Sequence, residues 1–427
     1  MWIQSRNNLL KIFYVIIIVL FVSKIVCGYN LRDSFLNRGN SHTFLNKLAF
    51  NLVDHNEFSI NAGTPSVDYE PLYPWLMSVA YSISGAGWLA LTIIQALLHS
   101  ITSFMIYMLA KKMWNETAGF FAGLFHAFYP YFFTYSLSIY DTTLFVFLVF
   151  MTIWILLRDK LSMKHFILSG IFTGLAFLTR GTMIVFLVPL LAYCFYIVWK
   201  KKNITQAAIA CTVIIGMNII TQLPWLIRNK NLTGQLMIST HGPFGFWQGN
   251  NDYSYEYLSK NISLDEIYRR NPPPEIYRKY PMKSREPKEA VAVAGEFQRE
   301  AAAWIKTHPH DFLKLAFLKA QKLWTWNRNP ASSNLAYGTN EGREIVNKIS
   351  YIPLLLLSPI GLFFLWKKNI PAALLIIGIV CCFTGAHAIV MGFTRARLPL
   401  DPLLMILTGI AIAGFSERFS NQKLIEG

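Results

Sequence analysis

Residues 182–228 read TMIVFLVPLLAYCFYIVWKKKNITQAAIACTVIIGMNIITQLPWLIR: two apolar runs, 182–199 and 206–227, divided by Lys200, Lys201 and Lys202. Each run is close to the roughly 20 residues that an α-helix needs to cross a hydrocarbon core about 30 Å thick. In lipid every backbone N–H and C=O must be satisfied within the segment, so such runs span as helices. The lysine triplet then sets direction, because short basic loops stay on the cytoplasmic side. The stretch is expected to be a helical hairpin turning on the cytoplasmic face, with Arg180 just before its first helix and Arg228 at the end of its second, both at the opposite face.

The pattern recurs on either side. Further runs lie at 12–26, 87–110, 117–137, 139–157, 166–180, 350–366, 370–390 and 398–415, which makes about ten spans. The segment 71–84 opens with Pro71 and Pro74 and is too short to cross; it is expected as a helix lying at the interface. With the N-terminus inside, every second loop should be basic. Those loops carry Lys111 and Lys112, then Arg158, Lys160 and Lys164, then the 200–202 triplet, then Lys367 and Lys368, and the tail carries Arg418 and Lys423. Counting 71–84 as a span would put these clusters outside.

The fold class that follows is an all-α polytopic membrane protein, one membrane-embedded domain over residues 1–427, with both termini cytoplasmic. Its opposite face holds a first extracytoplasmic loop, 29–86, bearing the interfacial helix, and one long extracytoplasmic loop, 228–349. A loop of that length is usually a functional element. Amphipathic helices are expected in it at 296–306 and, after the His308-Pro309 break, at 311–324. The first run follows Arg6 and Lys11 and is expected to be a retained helix. No A-x-A pattern or small residue before Cys27 marks a cleavage site, and Lys11 and Lys24 would snorkel to opposite interfaces.

Composition agrees. Of the 427 residues 54% are hydrophobic and 15% charged, with a mean hydropathy of +0.36, whereas soluble domains carry about 25% charge. The formal charge of +16 resides in the cytoplasmic clusters and the long loop. It reads as a topology signal with an attraction for anionic lipid or phosphate, and no nucleic-acid partner is expected. Cys27, Cys194, Cys211, Cys381 and Cys382 lie in or beside apolar runs without CxxC spacing. His99 and His126 fall within spans with no carboxylate at helical spacing, so packing histidines are expected.

Sorting charges by face brings out the site. Asp141, Arg180, Arg228, Arg395, Arg397 and His387 all sit near outer ends of spans. Ionisable groups at that depth are costly unless paired or hydrated, so their convergence implies a polar cavity. Arginine suits a phosphate, which it grips through two parallel N–H groups. Carboxylates suit a general base or a metal: Asp33, Asp54, Glu57, Asp68 and Glu70 in the first outer segment, and Asp141 from another turn. No P-loop or GxGxxG phosphate cradle is present.

Several segments carry a resemblance. They are Pro71-Leu72-Tyr73-Pro74, Leu178-Thr179-Arg180, Leu223-Pro224-Trp225-Leu226-Ile227-Arg228-Asn229, Gly234, Ser239-Thr240, Gly249-Asn250-Asn251, Arg395-Ala396-Arg397-Leu398-Pro399 and Pro402. In order, spacing and shared face, over roughly residues 10–415, the chain resembles bacterial membrane-embedded C-type glycosyltransferases, the superfamily of protein O-mannosyltransferases and lipid A aminoarabinose transferases.

The resemblance implies inverting transfer of a monosaccharide from a polyprenyl-phosphate donor to a lipid, glycan or protein acceptor on the extracytoplasmic face, in a bacterial plasma (inner) membrane. It implies a catalytic acid early in the first outer loop. The family's Asp-Ser pair falls here on Asn40-Ser41, and an amide cannot act as a base. The role then passes to Asp33, Asp68 or Glu70, with Asp141 as second acid, unless this copy is a non-catalytic partner of the same fold. Arg180, Arg228, His387, Arg395 and Arg397 are the donor-phosphate candidates. No cofactor is certain; Asp141 with an outer-loop acid could bind a divalent cation or simply share hydrogen bonds. A transporter or flippase of lipid-linked glycans is the rival from another class, but the sequence has neither the mid-span carboxylate nor the repeat that such proteins tend to carry.

Overall fold

A computed structural model of the chain describes residues 2–36, 43–84, 88–267, 275–279, 285–326, 341–392 and 394–425. The protein is an all-α bundle. Among the described residues six helices are long and apolar enough to cross a membrane: Asn8–Asn30, Leu89–Met113, Met183–Lys201, Ile204–Thr233, Glu344–Lys368 and Ile370–Ile389. Two further apolar helices, Thr142–Leu156 and Met163–Phe177, are shorter.

The hairpin read from 182–228 is present. Its first helix ends on Lys200 and Lys201, and Asn203 caps the second by accepting from Gln206 N at 2.8 Å. That second helix runs past Arg228 to Thr233, where Gly234 closes it at φ +83°, a left-handed conformation that glycine adopts without a Cβ clash. Packing is by close backbone approach. A Cβ on Gly170 would lie 2.6 Å from Ile214 O, and one on Gly174 would lie 2.8 Å from Asn218 O. The Gly-x-x-x-Gly spacing thus brings helix Met163–Phe177 against helix Ile204–Thr233, as small residues do where helices meet in lipid. Asn218 Nδ2 donates to Thr173 Oγ1 across the contact at 3.0 Å.

Two expectations change. The 117–137 run is two helices, Glu116–Phe128 and Pro130–Tyr135. Tyr129 is extended (ψ 121°), as the residue before a proline prefers. Lys24 does not snorkel. Its side chain is 1% exposed and its Nζ meets His99 Nδ1, with the His126 ring stacked 4.8 Å from that of His99. The two histidines are buried in the bundle as expected, but they surround a lysine rather than only packing.

Of the two parts outside the bundle, the long loop has a core of its own, while the first outer segment packs on Leu178 and Trp225 of the bundle. The first outer segment comprises helix Thr43–Asp54, a hairpin pairing Ser59–Asn61 with Thr64–Pro65, and helix Leu72–Ser84 where the interfacial helix was expected. The long loop holds helices His241–Gly249, Ser254–Ser259, Pro287–Thr307 and Pro309–Trp324. They close over a cluster that includes Trp247, Tyr257, Ile267, Phe297 and Leu315. The helix expected at 296–306 begins earlier, at Pro287. Glu286 N is satisfied by the Glu289 carboxylate at 2.7 Å, and Ala290, Val293, Ala294, Phe297 and Ala301 form a continuous buried stripe. The two outer parts dock through Thr240 N, which donates to Val67 O at 3.0 Å.

Candidate active site

Residues 66–70 lead from the hairpin into helix Leu72–Ser84 with a bend at Asp68 and Tyr69, and this segment carries both Asp68 and Glu70. Consecutive hydroxyls of the long loop meet them. Thr240 Oγ1 donates to Asp68 Oδ1 at 2.8 Å, and Ser239 Oγ to Glu70 Oε1 at 3.0 Å. Their fates then differ. Asp68 forms an ion pair with Arg285, the two side chains 4% and 5% exposed, and also accepts from Ser66 Oγ at 3.3 Å. Among the described residues no cation is bonded to Glu70. Burial pushes its carboxyl above the usual range; the nearby His241 and the Ser239 hydroxyl oppose that, and Asp141 adds to it.

Asp141 and Arg180 come from two other turns and meet as a fork. Nε donates to Oδ2 at 2.6 Å and Nη2 to Oδ1 at 2.5 Å, while Nη2 also reaches Thr142 Oγ1 at 2.8 Å. Helix Leu72–Ser84 is tied to the same turn by Leu72 N donating to Leu178 O at 2.9 Å. The pair is about a quarter exposed, so it is open to a ligand. His387 completes the group, within electrostatic reach of Arg180. Its Nδ1 donates to Phe383 O at 3.0 Å, leaving Nε2 as the other ring nitrogen, and its ring stacks on Phe383 at 4.0 Å. Phe383, Phe186 and Phe145 continue as an edge-to-face series to beneath Arg180.

Glu70, Asp141, Arg180 and His387 therefore gather from four stretches of chain at one end of the bundle, with His241 of the long loop beside them. The remaining candidates stand elsewhere. Arg228 donates to Ser66 O at 3.0 Å, Phe58 O at 3.3 Å and Asn229 Oδ1 at 2.7 Å, under the rings of Trp225 and Phe58. It holds the first outer segment against the bundle. Arg397 is 1% exposed and bonded to Asp401 at 2.8 Å, Leu323 O at 2.9 Å and Thr325 O at 3.1 Å. Glu57 braces the hairpin by accepting from Gly63 N at 2.8 Å, and Asp54 is exposed. Arg395 sits in the turn Thr394–Arg397 and Asp33 near the end of helix Trp2–Leu36; their side chains, with Asn40 and Ser41, lie outside the described residues.

Two residues escaped the sequence reading. Arg285 lies 217 residues from the Asp68 it pairs with, and no local pattern foretells such a contact. Lys319 did leave a signal. It interrupts the buried stripe Leu315, Lys319, Leu323 of its helix, and a lysine on an apolar face asks for a partner. Its Nζ donates to Asn250 Oδ1 at 2.8 Å and Ile389 O at 3.1 Å, joining the long loop to the end of the helix that bears His387.

Among the described residues no three His, Cys, Asp or Glu side chains converge as a metal site, and both Asp141 oxygens are taken by Arg180. A hard cation needs about six oxygen ligands.

Comparison with known proteins bears on this site directly. Residues 65–227 match the family model of dolichyl-phosphate-mannose-protein mannosyltransferase, a stretch that contains Asp68, Glu70, Asp141 and Arg180. No curated protein sequence matches the chain. The fold is similar to that of the Archaeoglobus fulgidus oligosaccharyltransferase in its apo form, at 15% identity and a TM-score of 0.53, over 96% of this chain and 52% of that one. It is similar to the same enzyme, AglB, in complex with an inhibitory peptide and a dolichol-phosphate, at 14% identity and a TM-score of 0.55, over 96% and 51%. ArnT from Cupriavidus metallidurans bound to undecaprenyl phosphate aligns over 92% of this chain and 77% of that one, at 13% identity and a TM-score of 0.42. The chain spans about half the length of the oligosaccharyltransferase it matches. The resemblance to protein O-mannosyltransferases is borne out over residues 65–227 by the family model, and the oligosaccharyltransferase likeness extends to the fold of the chain.

Proposed function

We propose that this protein is an inverting glycosyltransferase that moves a monosaccharide from a polyprenyl-phosphate donor to a lipid, glycan or protein acceptor on the extracytoplasmic face of a bacterial plasma membrane. The observation that carries the reading is the meeting of Glu70, Asp141, Arg180 and His387 at one end of a lipid-spanning bundle. A carboxylate able to take a proton stands there beside a cationic group able to take a phosphate. The topology that goes with it has about ten spans, cytoplasmic termini and the two long loops, 29–86 and 228–349, outside. The shorter helices Thr142–Leu156 and Met163–Phe177 count among those spans.

Chemistry assigns the roles. The acceptor's oxygen or nitrogen attacks C1 of the sugar from the side opposite the phosphate, and the C1–O bond breaks with its electron pair going to the phosphate oxygen. Glu70 takes the acceptor's proton; Asp68 is the weaker candidate because Arg285 and Thr240 already occupy it. Arg180, oriented by Asp141, and His387 stabilise the charge that grows on the departing phosphate. Arg395 keeps the phosphate role that the resemblance implies for it, whereas Arg228 and Arg397 act through the fold. Asp33 remains the alternative base.

The test is transfer in membranes from radiolabelled polyprenyl-phosphate monosaccharides, comparing wild type with Glu70→Gln and Asp33→Asn. Loss in Glu70→Gln alone supports the assignment, and loss in Asp33→Asn alone moves the base. No transfer by wild type, where an active relative succeeds in the same membranes, would leave a non-catalytic partner or a flippase as the reading.

A further inference from the structure

Helix Ile370–Ile389 bears His387 and ends on Ile389, whose carbonyl lies past the reach of the helix's own N–H groups. The long loop supplies the missing donors. Lys319 Nζ donates to Ile389 O at 3.1 Å, while Asn250 Nδ2 donates to the same oxygen at 3.0 Å and to Val390 O at 3.4 Å. Lys319 also donates to Asn250 Oδ1 at 2.8 Å, so the two capping side chains hold each other, and both residues are fully buried. A cation at a helix C-terminus is favoured by the helix dipole. Glycines let the parts close up: a Cβ on Gly249 would strike Val390 O, and one on Gly392 would strike Lys319 O.

The cap is tied to both halves of the reaction centre. Helix Pro309–Trp324 meets helix Ile370–Ile389 at two levels, Lys319 on Ile389 O and Trp324 Nε1 on Thr384 Oγ1 at 3.1 Å. The levels are the same number of residues apart on each helix, so the two run antiparallel in step, and His387 lies between them. In the other direction Asn250 follows helix His241–Gly249, and the residues just before that helix, Ser239 and Thr240, bond Glu70 and Asp68. One short helix therefore runs from the proposed base to the cap. We propose that Asn250 and Lys319 are positioning residues for transfer: by capping the helix that bears His387, they fix its imidazole at the leaving phosphate in register with Glu70. This role rests on the glycosyltransferase reading and gives the Gly249-Asn250-Asn251 segment a part in it.

The test is a double-mutant cycle on the full chain in membranes. Transfer from a saturating radiolabelled polyprenyl-phosphate monosaccharide is expressed per folded molecule, counted from the monodisperse peak in detergent. Asn250→Ala should lower that rate about ten- to a hundredfold, as misplacing a reacting group does, with little change in KM for the donor. In a His387→Gln background the same substitution should cost less than about twofold, because the group it positions is already gone. Asn250→Asp keeps the acceptor for Lys319 but loses the donors to Ile389 O and Val390 O, and serves where Asn250→Ala does not fold. Equal losses in both backgrounds, no loss in either, or a loss wholly accounted for by unfolded protein would overturn the positioning role. No transfer by wild type, or a His387→Gln protein as active as wild type, would instead count against the underlying reading, so the two failures are distinguishable.

Discussion

Arg397 and Asp401 form an ion pair sealed from water: Nε lies 2.8 Å from Oδ1, the side chains are 1% and 0% exposed, and Tyr129 donates to the second carboxylate oxygen at 2.9 Å. Arg397 also binds two carbonyls at the end of helix Pro309–Trp324, so the pair anchors the long loop to the last helix. Removing one member of such a pair strands the other.

Arg397→Ala should therefore cost about 3–5 kcal/mol of stability by leaving Asp401 uncompensated. The double replacement Arg397→Met with Asp401→Leu should recover much of that. Thermal retention of the monodisperse peak in detergent measures both. An Arg397→Ala protein as stable as wild type would show that the arginine is free to serve a ligand.

Glu70→Gln should lower transfer about 10²–10⁴-fold, the usual worth of a general base, without unfolding. Glutamine keeps an oxygen for the Ser239 hydroxyl, so purified yield and melting should match wild type.

Because burial raises the Glu70 carboxyl, the transfer rate should fall on acidification at a pH above the ordinary glutamate value of about 4.3. The base acts ionised, so activity is present above its pKa and lost below it. Ser239→Ala removes a hydrogen bond to the ionised form and should move that acid limb to still higher pH. A pH–rate profile of the two proteins decides it; a limb that ignores Ser239 would point to another base.

Arg228→Ala should loosen the segment held by its contacts to Ser66 O and Phe58 O, costing about 1–3 kcal/mol locally. Hydrogen exchange across residues 57–66 should speed up while the rest of the bundle is unchanged. Lysine should not substitute, since a single ammonium cannot keep both the carbonyl bonds and the flat stacking on Trp225.

Lys319 is fully buried, and among the described residues no carboxylate pairs with it; burial brings its ammonium down to about 7. In the unfolded chain it titrates near about 10.4. Between those values the unfolded state holds the extra proton, so stability should rise as pH climbs from about 7 towards 10 and level off below 7. Lys319→Met should abolish that slope, as read from the folded fraction after mild heating at each pH.

Much of this protein was written in its local sequence. The all-α membrane fold, the hairpin about Lys200–Lys202, the helix at 72–84 and the break at His308-Pro309 all follow from apolar run length, lysine placement and proline chemistry. Each of these acts over a few residues. The meeting of Asp141, Arg180 and His387 was legible for a related reason, because helices crossing the same slab return their ends to the same depth. What only the tertiary structure decided is how each charge is partnered and how far each pair is closed off. Arg180 and Arg397 look alike in sequence, yet one is a quarter open and the other is walled in by Asp401 and two carbonyls. Asp68 and Glu70 are two residues apart, yet Arg285, 217 positions beyond Asp68, takes the first and leaves the second. A charge's availability depends on long-range partners and on burial, and neither has a period that a sequence displays.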